Sequence, residues 1–131
     1  MTDTIRILHV EDDPDFAHLT TTCLQTEDER FTITSVRDAS AALDNLTAAP
    51  VDCIVSDHDL PGQNGIAFLR STRDKFPDLP FILLTGKGTE AVASKAISAG
   101  VTDYFQKEER PEQFKHLANR IVTAVENYRT Q

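Results

Sequence analysis

Asp57 ends an apolar run, Val51-Asp52-Cys53-Ile54-Val55-Ser56, and opens the turn His58-Asp59-Leu60-Pro61-Gly62. A carboxylate at the exit of a buried strand is poised for chemistry. Read alone, Asp57 serves equally well as a turn cap, because Asp before a Pro-Gly turn commonly accepts from backbone N–H groups. Other residues bear on the choice. Glu11 and Asp12 follow a first apolar run, Thr85 ends another, and Lys107 stands shortly after a fourth. If those strands are neighbours, three carboxylates, a hydroxyl and an ammonium converge on one crevice. Crowded carboxylates raise one another's pKa unless a cation joins them. Oxygen ligands with water suit Mg²⁺, and Mn²⁺ can substitute. An aspartate beside such a cation is a nucleophile toward phosphorus, giving an acyl phosphate. The metal and a lysine would offset charge on the transferring oxygens, and a threonine hydroxyl would donate to one of them.

The elements that must position these groups alternate along the chain. Ile5 to Val10 reads as a first strand, and Asp13 stands as N-cap with Pro14 at the first helical position. Phe16, Leu19, Cys23 and Leu24 form the apolar stripe of that helix. Phe31 to Val36 is a second strand, Ser40 to Leu46 a short second helix, and Val51 to Ser56 a third strand buried on both faces. A third helix spans about Gly65 to Asp74, and Phe81 to Thr85 is the fourth strand. Thr89 caps an Ala-rich fourth helix ending at Gly100, and Val101 to Phe105 is strand five. Pro111 opens a last helix whose Phe114, Leu117, Ala118, Ile121, Val122 and Val125 recur at helical spacing. Strands alternating with helices require right-handed crossovers and a parallel sheet covered on both faces. Active groups in such a sheet collect at the carboxyl ends of its strands.

With 131 residues the chain fits one domain, 1–131, with a core that needs neither disulfides nor a structural metal. Thirteen Lys and Arg against 21 Asp and Glu give a formal charge of −8, which argues against nucleic-acid binding for want of a basic stripe. Runs such as Glu27-Asp28-Glu29 suit high salt, where their repulsion is screened. No apolar stretch approaches the roughly 20 residues of a membrane helix. Met1-Thr2-Asp3-Thr4 has no signal-peptide features, so a cytoplasmic location is expected.

Several residues invite functional readings that their surroundings do not support. Gly86-Lys87-Gly88-Thr89 lacks the earlier glycine of a nucleotide loop and reads as a flexible turn before a capped helix. Cys23 and Cys53 read as small core residues. His9, His18, His58 and His116 show no zinc spacing; His9 is expected within the sheet, His18 and His116 on helix surfaces. Tyr104, by itself, reads as a half-buried strand aromatic, Lys107 as a surface lysine and Thr85 as a strand-end hydroxyl. Their joint occurrence changes the reading.

Four ordered motifs resemble the receiver domain of two-component response regulators over essentially the whole chain. Ile7-Leu8-His9-Val10-Glu11-Asp12-Asp13-Pro14 resembles the opening strand and acidic pair, and the segment Asp52 to Gly65 resembles the phosphoacceptor region. Phe81 to Thr85 with Gly86 resembles the strand ending in Thr or Ser, and Gly100 to Lys107 the segment with the switch aromatic and lysine. The resemblance implies a doubly wound α/β fold of five parallel strands in order 2-1-3-4-5 with five helices, a flavodoxin-like three-layer sandwich. It implies that Asp57 is phosphorylated, that Glu11 and Asp12 hold Mg²⁺ together with Asp57 and the backbone carbonyl of Asp59, and that Thr85 and Lys107 contact the phosphoryl group. Tyr104 would change rotamer as Thr85 moves, and helix four, strand five and helix five would form the output or homodimer surface. The phosphoryl group would come from a histidine kinase or phosphotransfer protein, with self-catalysed gain and loss rather than conventional turnover. Glu11 replaces the commoner aspartate, and Glu108 stands where many members have proline, which leaves the path after Lys107 open. Gly86 and His58 are also departures, placed to tune phosphoryl lifetime. The details of Ser56 to Asp59 and of Thr85 to Gly88, with the acidic surface, are similar to receivers of halophilic archaea, where such a unit often precedes sensor and kinase modules. A single-domain regulator and an N-terminal module both fit.

A phosphorylation-independent interaction domain on the same fold is the main alternative, since docking needs only a surface. A Mg²⁺-dependent phosphatase is disfavoured because no cap domain or substrate pocket is evident.

Overall fold

The computed structural model describes residues 3–86, 90–108 and 110–130. Elements alternate as expected: β1 (Ile5–Val10), α1 (Pro14–Glu27), β2 (Phe31–Val36), α2 (Ala39–Ala48), β3 (Cys53–Asp57), α3 (Gly65–Lys75), β4 (Phe81–Thr85), α4 (Glu90–Ser98), β5 (Asp103–Gln106) and α5 (Pro111–Arg129). The strands form one parallel sheet in the order β2-β1-β3-β4-β5, as the resemblance implies. Each face of the sheet carries its own apolar layer. Ile5, Ile7, Val55 and Ile82 pack with α1 and α5 through Phe16, Leu24, Phe114, Leu117 and Ile121. Leu8, Ile54, Phe81 and Leu83 pack on the other side with Leu46, Phe68, Leu69 and Ala96 of α2, α3 and α4.

Boundaries move where side chains outside the apolar pattern satisfy backbone groups. Asp38 caps α2 by accepting from the Ala41 N–H at 2.8 Å, so the helix begins before Ser40 and runs past Leu46. Asp13 caps α1 as expected, accepting from Asp15 N at 3.0 Å and Phe16 N at 3.5 Å. β5 begins at Asp103 rather than Val101, because Gly100 turns at φ 90° and Thr102 is tied to Phe81 through both its N–H and its hydroxyl. Asp57 belongs to β3 itself, paired with Leu84, instead of following a strand that ends at Ser56. The expected cap at Thr89, with Lys87 and Gly88, lies outside the described residues. Tyr104 is exposed, at 40%, rather than half-buried. Cys53 is buried and Cys23 half-buried, both as free thiols.

His9 lies within the sheet and is fully buried, and neither ring nitrogen has a hydrogen-bond partner among the described residues. Burial, and secondarily the positive charge of Lys107, push its pKa from 6.5 to about 4. In the unfolded chain His9 takes a proton near its ordinary pKa, whereas the folded protein resists until about pH 4. The stability tied to neutral His9 is therefore complete above the ordinary value and is lost as pH falls from 6.5 to about 4. The loss amounts to roughly 3 kcal/mol. His9→Leu is expected to gain stability over the natural chain by a larger margin at pH 5 than at pH 8 in urea unfolding. An equal margin at both pH values would show that His9 does not titrate in this way.

Candidate phosphoacceptor site

The sheet order sets β1, β3 and β4 side by side, so their carboxyl ends deliver Glu11, Asp57 and Thr85 to one edge. One carboxylate oxygen from each of Glu11, Asp12 and Asp57 lies within 4.8 Å of the others. Glu11 and Asp57 are buried, at 2% and 3% exposure, and Asp12 is the more open member. The fourth group, Lys107, leaves β5 in line with β4, its N–H donating to the Thr85 carbonyl at 2.6 Å. No peptide bond among the described residues is cis, that between Lys107 and Glu108 included. The path after β5 therefore brings the lysine to the crevice without a proline.

Lys107 Nζ donates to Asp57 Oδ2 at 3.2 Å and lies 2.8 Å from Glu11 Oε1. The contact with Glu11 is the shorter of the two and is an ion pair at hydrogen-bonding distance. Glu11 Oε2 accepts from Asp13 N at 3.1 Å, which turns the carboxylate inward. Burial raises the Glu11 pKa, opposed by Lys107 and the Asp13 N–H and reinforced by the charge of Asp57. Burial by itself would lower the Lys107 pKa, yet Glu11 and Asp57 outweigh it and hold it above its ordinary value. Burial drives the Glu11 shift and Lys107 only moderates it, whereas the two carboxylates drive the Lys107 shift, as expected of a single ammonium between two buried carboxylates. The lysine is fully compensated and the acids are not.

The turn after Asp57 is held by local geometry. Asp59 N donates to Asp57 Oδ1 at 3.3 Å, and Gly62 adopts φ 77°, a region favoured by glycine. Gly65 donates to the His58 carbonyl at 2.9 Å, and a Cβ there would stand 2.6 Å from the Asp57 carbonyl oxygen. Only a residue without a side chain lets α3 approach the acceptor strand so closely. The Asp59 carboxylate is not part of the buried trio; it faces solvent at 77% exposure, 3.3 Å from His58 Nδ1. Thr85 is buried at the crevice wall, but its hydroxyl donates to the Phe105 carbonyl at 3.4 Å. Tyr104, on the adjacent strand, points into solvent. His18 and His116 are exposed, the latter with its ring edge toward Phe105.

Phe16 is the site residue that the sequence pattern does not single out. Its ring lies beneath Lys107, with Nζ 4.3 Å from the centroid. Its position on the apolar stripe of α1 looks the same as that of Leu24, and only the tertiary path of Lys107 distinguishes the two.

Lys107→Met leaves Glu11 and Asp57 facing each other without their cation. The variant is expected to lose about 2–3 kcal/mol at pH 8, less than for a fully enclosed pair because the lysine is partly open to water. Adding Glu11→Gln is expected to restore most of that stability. Urea unfolding of the two single variants and the double variant checks this, and a double variant no more stable than Lys107→Met would contradict the shared-cation account.

Residues 7–119 match the family model described as the response regulator receiver domain. The chain is 33% identical over 99 residues to the bacterioopsin transcriptional activator of Halobacterium salinarum, covering 76% of this chain and 14% of that protein. It is 31% identical over 124 residues to the regulatory protein VanR of Enterococcus faecium, covering 95% of this chain and 51% of VanR. The chain thus spans about half, or much less, of the length of these relatives. A receiver domain protein from Clostridium thermocellum superposes with a TM-score of 0.85 at 20% identity, over 96% of this chain and 98% of that one, and shares the fold. The motif-level resemblance, the sheet order and the family match agree: the chain belongs to the response regulator receiver domain family.

Proposed function

We propose that this chain is a phosphoryl-accepting switch of a two-component phosphorelay, with Asp57 as phosphoacceptor. The observation that carries the reading is the Asp57 carboxylate, buried at a strand end, hydrogen-bonded to Lys107 and flanked by Glu11 and Asp12. A carboxylate oxygen of Asp57 attacks phosphorus as the bond from phosphorus to the donor's imidazole nitrogen breaks. The electron pair stays on that nitrogen, and an acyl phosphate is left on Asp57. Lys107 turns from the Asp57 oxygen to a phosphoryl oxygen and offsets its charge. The Thr85 hydroxyl releases the Phe105 carbonyl and donates to a second phosphoryl oxygen, and Tyr104 moves inward behind it. Hydrolysis reverses the gain: water attacks phosphorus, and the bond from phosphorus to the Asp57 oxygen breaks with its electron pair on that oxygen. Inorganic phosphate departs with the water oxygen, leaving Asp57 as a carboxylate and releasing a proton to solvent.

The deficit of positive charge among three carboxylates, each with an oxygen within 4.8 Å of the others, fits a divalent cation. Glu11, Asp12 and Asp57 would hold Mg²⁺, or Mn²⁺ in its place, with the Asp59 carbonyl as a further ligand. When bound, the ion neutralises charge on the transferring phosphoryl oxygens. The donor is a histidine kinase or phosphotransfer protein, in the cytoplasm, and residues 1–131 act as one receiver domain. No helix among the described residues is long and apolar enough to cross a membrane. The readout surface is α4, β5 and α5, which carry the exposed Ile97, at 63%, and Tyr104, and it serves a downstream module or a second copy.

Incubation with Mg²⁺ and a small phosphoryl donor, followed by intact-mass measurement, is expected to show one added phosphoryl group. Asp57→Asn and excess chelator are each expected to abolish it. No adduct under conditions that label a control receiver would leave the alternative, docking without phosphorylation. Glu11→Gln is expected to weaken Mg²⁺ binding at least several-fold in a calorimetric titration, and unchanged affinity would remove Glu11 from the metal shell.

A further inference from the structure

Lys107 has three N–H donors and a charge largely withdrawn from water, its side chain being 22% exposed. Glu11 and Asp57 take two directions from the ammonium. In a third lies the ring of Phe16, itself 4% exposed and held in the first turns of α1. Phe114 braces that ring from α5, with the two centroids 6.1 Å apart and the planes tilted by 40°. An aliphatic side chain at this position would withdraw water from the ammonium and return nothing. The negative face of an aromatic ring returns electrostatic attraction, and it does so without fixing any single N–H bond direction.

We propose that Phe16 is a positioning residue for phosphoryl transfer, its ring face holding the Lys107 ammonium between Glu11 and Asp57 while leaving it free to pivot. The proposal rests on the reading of Asp57 as phosphoacceptor. During transfer Lys107 must exchange an Asp57 oxygen for a phosphoryl oxygen. A hydrogen-bonding neighbour in place of the ring would have to be broken in that exchange. The ring attraction depends on the distance from ammonium to centroid, so it persists through the turn. The ring also blocks retreat of the lysine toward the α1–α5 layer, where Phe114 and Leu117 pack. Phe16 touches no reacting atom, and it acts through Lys107.

The test compares Phe16→Leu, which keeps an apolar side chain without the ring face, with Phe16→Tyr, which keeps the ring. Phe16→Met serves if the leucine variant does not fold, and urea unfolding of each variant confirms the fold. At saturating small phosphoryl donor and Mg²⁺, Phe16→Leu is expected to form the Asp57 adduct roughly tenfold more slowly than the natural chain. Phe16→Tyr is expected to stay within about twofold. In a Lys107→Met background, Phe16→Leu is expected to cause no further slowing, because the ring then has no ammonium to hold. Natural rates in Phe16→Leu, or the same tenfold slowing without Lys107, would overturn the proposal. If the natural chain forms no adduct at all, the phosphoacceptor reading fails separately. The placement of Lys107 is then read from ¹⁵N relaxation of its Nζ, expected to show the same restricted motion in the natural and Tyr chains and clearly greater mobility in Leu. Equal mobility in all three would overturn the positioning role.

Discussion

Two buried carboxylates share one ammonium at the carboxyl edge of this sheet, and the rest of the site is arranged around that imbalance. Glu11 is driven inward by the Asp13 N–H, Asp57 by its place as the last residue of β3, and Lys107 by the backbone bond to Thr85. None of the three could be buried alone at neutral pH without a large penalty. Together they tolerate burial while still lacking positive charge. On the proposed reading that deficit is the working state: it draws a divalent ion to the carboxylates and leaves the lysine available to a phosphoryl oxygen.

The parallel sheet makes this arrangement possible because it separates structural burial from chemical burial. Its two apolar layers are filled mainly by Ile, Leu, Val and Phe, so the strands need no polar help to stay in place. Exceptions sit close to the site. His9, two residues before Glu11, carries two nitrogens with no hydrogen-bond partner among the described residues, on the sheet face shared with α1 and α5. Its depressed pKa is partly the reach of Lys107 through that layer.

Much of the fold was legible because the apolar blocks are short and punctuated. Asp13-Pro14 and the Gly100 turn mark boundaries by local rules that tertiary contacts do not override. Asp38 is less legible as a cap than Asp13 because no proline follows it, and Ser40, two residues on, is itself a favoured cap type. The carboxylates and Lys107 were legible from their places at strand ends, since parallel topology gathers such ends together. Phe16 was not, because an aromatic on a helix stripe reads as core filling until the path of a distant lysine is known. Tyr104 reads as half-buried from strand alternation, which gives a side but not the cover over it, and it is exposed because β5 is an edge strand with one neighbour.

The close approach at Gly65 makes the crevice mechanically lopsided. On the α3 side the Asp57 carbonyl and His58 Cα leave no room even for a methyl group, so that wall yields only if the whole helix moves. On the β4 side Gly86 has ordinary van der Waals space before the Asp59 carboxylate, and the Thr85 hydroxyl is held by one long hydrogen bond. On the proposed reading, a group added to Asp57 would meet a stiff wall and a compliant one, and its strain would be relieved toward β4 and β5 rather than toward α3.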